Sequence, residues 1–457
     1  MSVFPTTRSR RSGGVDPMGT VGRQRVMISE ALSRPLADYY LLLVCAGLLV
    51  TFGMVMVLSS SSVYGMIENG DSYYYVKRQL GFLILGLPIA FLVSRCGEIA
   101  GRVPGLRRWA ASQGTAVATE RVLKALGWVM MAICLVLLAM VVFTPLGVNL
   151  WGNKAWLALG PIQIQPSEFT KVAFVLWSAA VFASRQRSLD QPVRMLVPYL
   201  PVALLMLGLV ALEQDIGTLV VMAVMVMLQL WFVGAPGRII AALAGIGGVG
   251  MVGFLAIEAL GFHKLVHVCR IGSWSNNLLG THFSLSSCTL SDQPLNALYG
   301  FATGGWWGVG LGASRQKWGG LYNGAQTDYV LAVVGEELGL VGTLLVLGLF
   351  VVLGFAGLRV ARASDTLFRR VVAAGLTGWM LVQAAVNVLV ALELMPVAGV
   401  GLPFISYGGS GLLSGLFAVG VLLALARHEP MAAAVLGRRG SGATPRRFTG
   451  VVAAARR

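Results

Sequence analysis

The chain has 457 residues, of which 56% are hydrophobic and only 12% charged, and its mean hydropathy is +0.76. That balance leaves too little polar surface for a water-soluble globule and points to an integral membrane protein. The formal net charge of +16 signals membrane topology and attraction to an anionic leaflet rather than nucleic-acid binding, because the basic tails offer few interleaved aromatic residues to stack on bases.

Residues 1–38 form a polar, basic tail with Arg8, Arg10, Arg11, Arg23, Arg25 and Arg34, and no cleavable signal is visible in it. Apolar runs follow at 39–60, 79–93, 123–143, 169–184, 196–212, 218–233, 239–259, 329–358, 371–392 and 412–426. A hydrocarbon core takes roughly 20 helical residues to cross. The pattern therefore predicts an all-α polytopic bundle of about ten transmembrane helices over residues 39–427, with a long extracytoplasmic loop, 260–327, between the seventh and eighth, and a second basic tail at 428–457. Arg95, Arg102, Arg107, Arg108 and Arg121, then Arg185, Arg187 and Arg194, then Arg359, Arg362, Arg369 and Arg370 all fall on the side of the two tails. By the bias of Lys and Arg toward cytoplasmic flanks, both termini are expected in the cytoplasm.

The ionisable residues near the spans collect at the opposite side: Asp71, Glu168, Glu213, Asp215, Asp328 and Glu393. Charges at a membrane edge are functional candidates. "GPIQIQPSEFTK" (160–171) feeds a helix whose start suits Pro166, Ser167 and Glu168, and Asp215 in "EQDIGT" suits a cap for the next helix. Cys269 and Cys288 share the long outer loop and are the cysteines placed for an oxidising compartment; a disulfide between them is one reading and two free thiols the other.

The same loop carries "GGWWGVGLGASRQKWGGLYNG" (304–324). Its Gly-x-Gly pattern lacks the preceding strand of a dinucleotide site. The glycines instead suggest backbone that approaches a ligand, with Trp306, Trp307 and Trp318 at headgroup level. Arg315 and Lys317 either meet a phosphate there or snorkel beside the aromatic belt.

"AQTDYVLAVVGEELGLVG" (325–342) places three carboxylates at the mouth of a span. On a straight helix Asp328 and Glu336 lie about 80° and about 12 Å apart, and Glu337 falls about 180° from Asp328, so they make no close acid/base pair. Asp328, beside Thr327 as a candidate N-cap, is either an anionic base or a helix cap. Glu336 and Glu337 read as structural, with Lys171 or another buried cation as partner. "MPVAGVGLPFISYGGSG" (395–411) is a Pro- and Gly-rich entry to the last helix, a kind of backbone tolerated at membrane depth only when protein covers it or a cavity needs it.

"LPFISYGGSGLL", "QPSEFTK", "SSSSVYG", "GVGLGASRQKWG" and "TDYVLAVVGEELGLVG", spread over about 37–430 and specific through their combination in the right chain order, resemble the SEDS proteins of shape, elongation, division and sporulation. The "GLGASRQK" and "PFISYGGSG" forms look more like the division branch (FtsW) than the elongation branch (RodA). The resemblance implies a peptidoglycan glycosyltransferase that polymerises lipid II at the outer face of the bacterial cytoplasmic membrane, at the septum, with a class B penicillin-binding protein and other divisome proteins as partners. A lipid II flippase and a non-catalytic scaffold for that transpeptidase are the rival readings. In the family the Asp of the Thr-Asp-aromatic motif is essential, which is Asp328 here. One base suffices chemically, because an acceptor hydroxyl must lose a proton while a diphosphate leaves without gaining one. Lys154, Arg315 and Lys317 are the candidate diphosphate ligands, with Mg or Mn as a candidate cofactor. Trp156, Glu168, Lys171, Ser406, Tyr407 and Ser410 complete the candidate substrate-binding set. The chain departs from the family pattern at Gln326, where His is usual, at Ala155, where Arg is usual, and in the Cys269 to Cys288 segment, which replaces an Asp-Pro-rich opening.

Overall fold

The computed structural model describes residues 34–104, 112, 114–150, 153–160, 162–188, 191–257, 266–279, 292–321 and 324–440. Most of both basic tails, Arg107, Arg108 and Cys288 lie outside the described residues. The elements in chain order are α1 (Ala37–Asn69), α2 (Tyr74–Ser94), a short α3 (Cys96–Ala100), α4 (Thr115–Phe143), β1 (Gly147–Leu150), β2 (Asn153–Leu159), β3 (Ile162–Ile164), α5 (Pro166–Ser184), α6 (Pro192–Leu212) and α7 (Ile216–Val233). They continue with α8 (Gly237–Ile257), α9 (Val266–Leu279), α10 (Gln293–Gly304), α11 (Val330–Ala363), α12 (Leu367–Ala391), α13 (Gly409–Ala426) and α14 (Pro430–Gly440).

Among the described residues, nine helices are long and apolar enough to cross a membrane. The expected span at 169–184 is α5, which falls outside that set because its polar first turn lowers its mean hydropathy, and almost every position is buried by protein. A helix enclosed on all sides needs no lipid-facing stripe. α5 packs against α4, α7, α12 and α13 and forms the middle of the bundle. Beside it Trp177 stacks on Tyr199 at 6.4 Å and 12°, and the Tyr199 hydroxyl donates to Val226 O at 2.9 Å, so the buried ring keeps its polar end satisfied. At the other extreme, α8 has no buried residue and packs mainly on α7.

Two features depart from an uninterrupted helical reading. Between α4 and α5 the chain forms a small antiparallel sheet, β1-β2-β3, pairing Val148 with Trp156 and Ala158 with Gln163. The segment expected as the long loop 260–327 also contains the helices α9 and α10.

α11 is broken at Gly339, whose φ of 68° and ψ of −164° leave the helical region. The segment after α10 enters the break. Val309 N and Gly310 N donate to Glu336 O and Glu337 O at 2.9 and 3.0 Å, while Leu340 N and Val341 N donate to Gly305 O and Trp306 O at 2.9 and 3.2 Å. The inserted segment thus replaces the helix's own ladder on both sides of the gap. Close backbone approach requires the glycines here: a Cβ on Gly308 would lie 2.1 Å from Glu337 O, and one on Gly304 would lie 1.9 Å from Gly335 O. Gly304 and Gly308 of the glycine-rich stretch thus serve the approach to a helix backbone. Trp306 and Trp307 project from it, 68% and 81% exposed.

Candidate active site

Asp328 lies in the turn that precedes α11, one residue before Tyr329 at the N-cap position. The expected Thr327 cap does not form, since that helix end has no side-chain cap and the Thr327 hydroxyl turns back to Gly324 O at 3.5 Å. The turn is held instead through its carbonyls. Tyr407 N donates to Gln326 O at 2.8 Å, Ser406 Oγ to Thr327 O at 2.5 Å and Asn387 Nδ2 to Asp328 O at 2.7 Å. Asn387 also donates to Val400 O at 2.8 Å, and Leu402 N donates to Ser406 Oγ at 2.7 Å. α12 and the 395–411 segment together pin the backbone of successive residues and leave the Asp328 side chain partly exposed.

Gly399, at φ 69°, passes this carboxylate so closely that a Cβ there would sit 3.9 Å from Asp328 Oδ2. Burial pushes the Asp328 carboxyl up to about 6; the nearby Arg270 guanidinium opposes that shift and Asp215 adds to it. A base in this range is mostly ionised at neutral pH yet basic enough to accept a proton from a hydroxyl as it attacks.

A second polar group packs beside it at the start of α5. Lys171 Nζ donates to Glu168 Oε1 at 2.6 Å and to Gln383 Oε1 at 2.8 Å, and lies 5.4 Å from the centre of the Trp379 ring. The expected link from Lys171 to Glu336 or Glu337 is absent because Glu168, one helical turn away, takes that ammonium. Gln383 Nε2 continues the chain to Gly401 O at 3.0 Å. Ser410 Oγ accepts from Gln165 N at 3.0 Å, and Gln165 Nε2 donates to Asp215 Oδ2 at 3.2 Å. Asp215 caps α7 as expected, accepting from Thr218 N at 3.0 Å and from Thr218 Oγ1 at 2.8 Å, while burial raises its carboxyl. Next to it Glu213 is completely buried and neither carboxyl oxygen has a partner among the described residues. Burial, then Asp215, pushes it up to about 9, which makes it a neutral acid at pH 7.

The candidate phosphate ligands divide. Lys317 Nζ donates to Glu337 Oε1 at 2.5 Å, to Ser59 O at 3.1 Å and to Ser59 Oγ at 3.3 Å. An ammonium has three donors, so none is left for a substrate in this arrangement. Lys154 Nζ donates to Val142 O and Thr144 O at 2.9 and 3.2 Å, closing the end of α4. Lys317 is therefore structural where it stands, while Lys154, partly exposed, keeps one donor beyond its two backbone bonds. Arg315 is exposed, and its backbone N donates to Glu336 Oε1 at 2.9 Å. Glu336 also accepts from Ser314 Oγ and from Gln316 N, so it organises the 314–316 turn. Glu337 accepts from Ser59 Oγ at 2.5 Å in addition to its ion pair. Trp156 lies half-buried on β2, and the Tyr407 ring meets Tyr75 edge-on at 5.0 Å.

Arg270, on α9, is the charged neighbour of Asp328 that the motif reading did not single out. It belongs to the same loop stretch as Cys269, which is disulfide-bonded; the expected partner Cys288 lies outside the described residues. Among the described residues no group of three or more His, Cys, Asp or Glu side chains is arranged to hold a metal. A divalent ion at Asp328 would need substrate oxygens to complete its ligands.

Residues 114–431 match the sequence profile FTSW_RODA_SPOVE, described as cell cycle protein. The chain belongs to this family. Among its FtsW/RodA/SpoVE relatives, the probable peptidoglycan glycosyltransferase FtsW of Mycobacterium tuberculosis is 32% identical over 91% of this chain and 72% of its own length. The probable peptidoglycan glycosyltransferase FtsW of Trichlorobacter lovleyi is 33% identical over 86% of this chain and 95% of its own. Stage V sporulation protein E of Bacillus subtilis is 32% identical over 85% and 97%. The crystal structure of Thermus thermophilus RodA, a rod shape determining protein, superposes with a TM-score of 0.55 at 25% identity, covering 88% of this chain and 99% of that one. A chain from a peptidoglycan synthase complex that coordinates polymerisation and crosslinking shares the fold with a TM-score of 0.60 at 24% identity, over 85% and 97%. The family is one of membrane proteins of peptidoglycan synthesis, and the helical fold seen here is its fold.

Proposed function

We propose that this protein polymerises lipid II into glycan strands at the outer face of the bacterial cytoplasmic membrane, with Asp328 as the base. The acceptor sugar hydroxyl attacks the anomeric carbon that carries the polyprenyl diphosphate. Its proton passes to the Asp328 carboxylate, the glycosidic C–O bond forms with inversion, and the bond to the diphosphate oxygen breaks. The diphosphate leaves as an anion and needs no general acid. This matches a site with one partly exposed carboxylate of suitable basicity and no second acid paired with it among the described residues.

The observation that carries the reading is the fixing of the Asp328 turn by Tyr407, Ser406 and Asn387 through three consecutive carbonyls. Rigid support with a free side chain is what a positioned base requires. Ser406, Tyr407, Ser410, Glu168 and Lys171 then act by shaping the wall around the substrate, and Arg315 is the exposed cation of the original set that remains available to a phosphate. The orientation with both termini in the cytoplasm, a septal location, and a class B penicillin-binding protein as the crosslinking partner belong to the same proposal. The named activity of the FtsW relatives and the synthase complex that shares the fold support it.

The test is lipid II polymerisation by the purified protein with its transpeptidase partner, with glycan products resolved on a gel. Asp328→Ala should give no polymer while retaining wild-type thermal stability. Wild-type polymer length and rate in Asp328→Ala would remove the base. Retained lipid II translocation in liposomes with no polymer under any partner pairing would favour the flippase.

A further inference from the structure

α9 is fastened across the site at Glu393. Trp274 Nε1 donates to Glu393 O at 3.0 Å, and Asn277 Nδ2 donates to Glu393 Oε1 at 2.6 Å. Glu393 is 5% exposed and adopts φ 57°, a left-handed conformation unusual for a residue with a side chain, just beyond the end of α12. From there the chain runs directly into the 395–401 stretch that contains Gly399, beside the Asp328 carboxylate.

Trp274 and Asn277 are three residues apart and share a face of α9. Arg270 precedes Trp274 by four residues, so it lies on that face about one turn, roughly 6 Å, further along. Its charge acts on both Asp328 and Tyr329. Yet it closes no salt bridge with Asp328 and makes no hydrogen bond with a described residue, and it is partly exposed. A guanidinium whose only task was to neutralise the base would close that gap as a forked pair. The fork, unpaired among the described residues, instead suits a third group between them, and Lys171 and Lys317 are already committed elsewhere.

The geometry points to Arg270 as the phosphate-binding arm of this site: held by the Glu393 latch, it takes the diphosphate of a polyprenyl-linked substrate on the open side of Asp328. This rests on the proposed polymerase function for the identity of the substrate, but the anion-binding arm itself does not depend on polymerisation. Arg270 is a binding residue, and Asn277 and Glu393 are positioning residues that aim it. Planar, bidentate donors recognise phosphate oxygens better than a point charge does.

The experiment measures binding of undecaprenyl diphosphate to the full-length protein in nanodiscs, with inorganic pyrophosphate and phosphatidylglycerol as competitors. Arg270→Ala should weaken undecaprenyl diphosphate binding about tenfold or more, the loss of a hydrogen bond between charged groups. Arg270→Lys should recover part of it, and Asn277→Ala should weaken binding in the same direction at unchanged thermal midpoint. Asp328→Ala should bind at least as tightly as wild type, because it removes a negative charge. Displacement by pyrophosphate supports recognition of the diphosphate itself. Equal displacement by phosphatidylglycerol, or wild-type affinity in Arg270→Ala, overturns the inference. If Arg270→Ala binds normally while Asp328→Ala is inactive, only this arm falls; if Arg270→Ala loses binding while Asp328→Ala still polymerises, only the assigned base falls.

Discussion

Lys317→Met separates a structural cation from a substrate ligand. The Lys317 and Glu337 side chains are fully inaccessible and their charged atoms are 2.5 Å apart. The ammonium also ties Ser59 of α1 to α11 through two further contacts. Replacing one partner of such a pair leaves an uncompensated buried charge, a loss of about 3–5 kcal/mol. Lys317→Met should therefore lower the thermal midpoint of the purified protein substantially, as followed by tryptophan fluorescence in detergent. Lys317→Met combined with Glu337→Gln should recover most of the loss, because no unpaired charge remains. A Lys317→Met protein that melts with wild type and loses only undecaprenyl diphosphate binding would refute the reasoning and return Lys317 to the phosphate site.

Polymerisation should fall as pH drops through about 6, where the raised Asp328 carboxyl takes up its proton and can no longer act as a base. Asp215→Asn removes a charge that raises this carboxyl, so it should move the acidic limb to lower pH; an unmoved limb in that variant refutes the electrostatic link. Gly308→Ala should unseat the inserted segment, because its Cβ would lie 2.1 Å from Glu337 O at a φ of +78°. Loss of the four bridging bonds at about 1 kcal/mol each amounts to about 4 kcal/mol, and hydrogen exchange at the Leu340 and Val341 amides would report it; unchanged protection there would count against the bridge.

The helical spans were legible because lipid demands long apolar runs, and Asp328 was legible because a carboxylate at the mouth of such a run needs a reason. α5 was legible as an apolar run but not as the enclosed centre of the bundle. Burial by protein and burial by lipid select similar side chains. The pairing of Lys317 with Glu337 was hidden by distance: 20 residues separate them, and the break at Gly339 brings the loop back against the helix. Asp328 does not share a helical wheel with Glu336, because it precedes α11 in a turn. The small sheet had a signal in the alternation of "NKAWLAL", with its partner strands close by in sequence, but its short strands sit among membrane spans whose apolar runs dominate the pattern. Arg270 carried no motif. The fastening of α9 at Glu393 brings it to the site.

The broken α11 also bears on how the chain is made. The stretch from Leu340 to Ala363 is about 36 Å of helix, enough to span the bilayer alone. Its leading amides nevertheless find partners only on Gly305 and Trp306, residues synthesised some 35 positions earlier. The loop after α10 must therefore wait, with Val309 and Gly310 unpaired by helix or sheet, until α11 emerges. The two segments mature as one unit, and the interval between their synthesis is when this part of the protein is most open to misassembly and to a membrane chaperone.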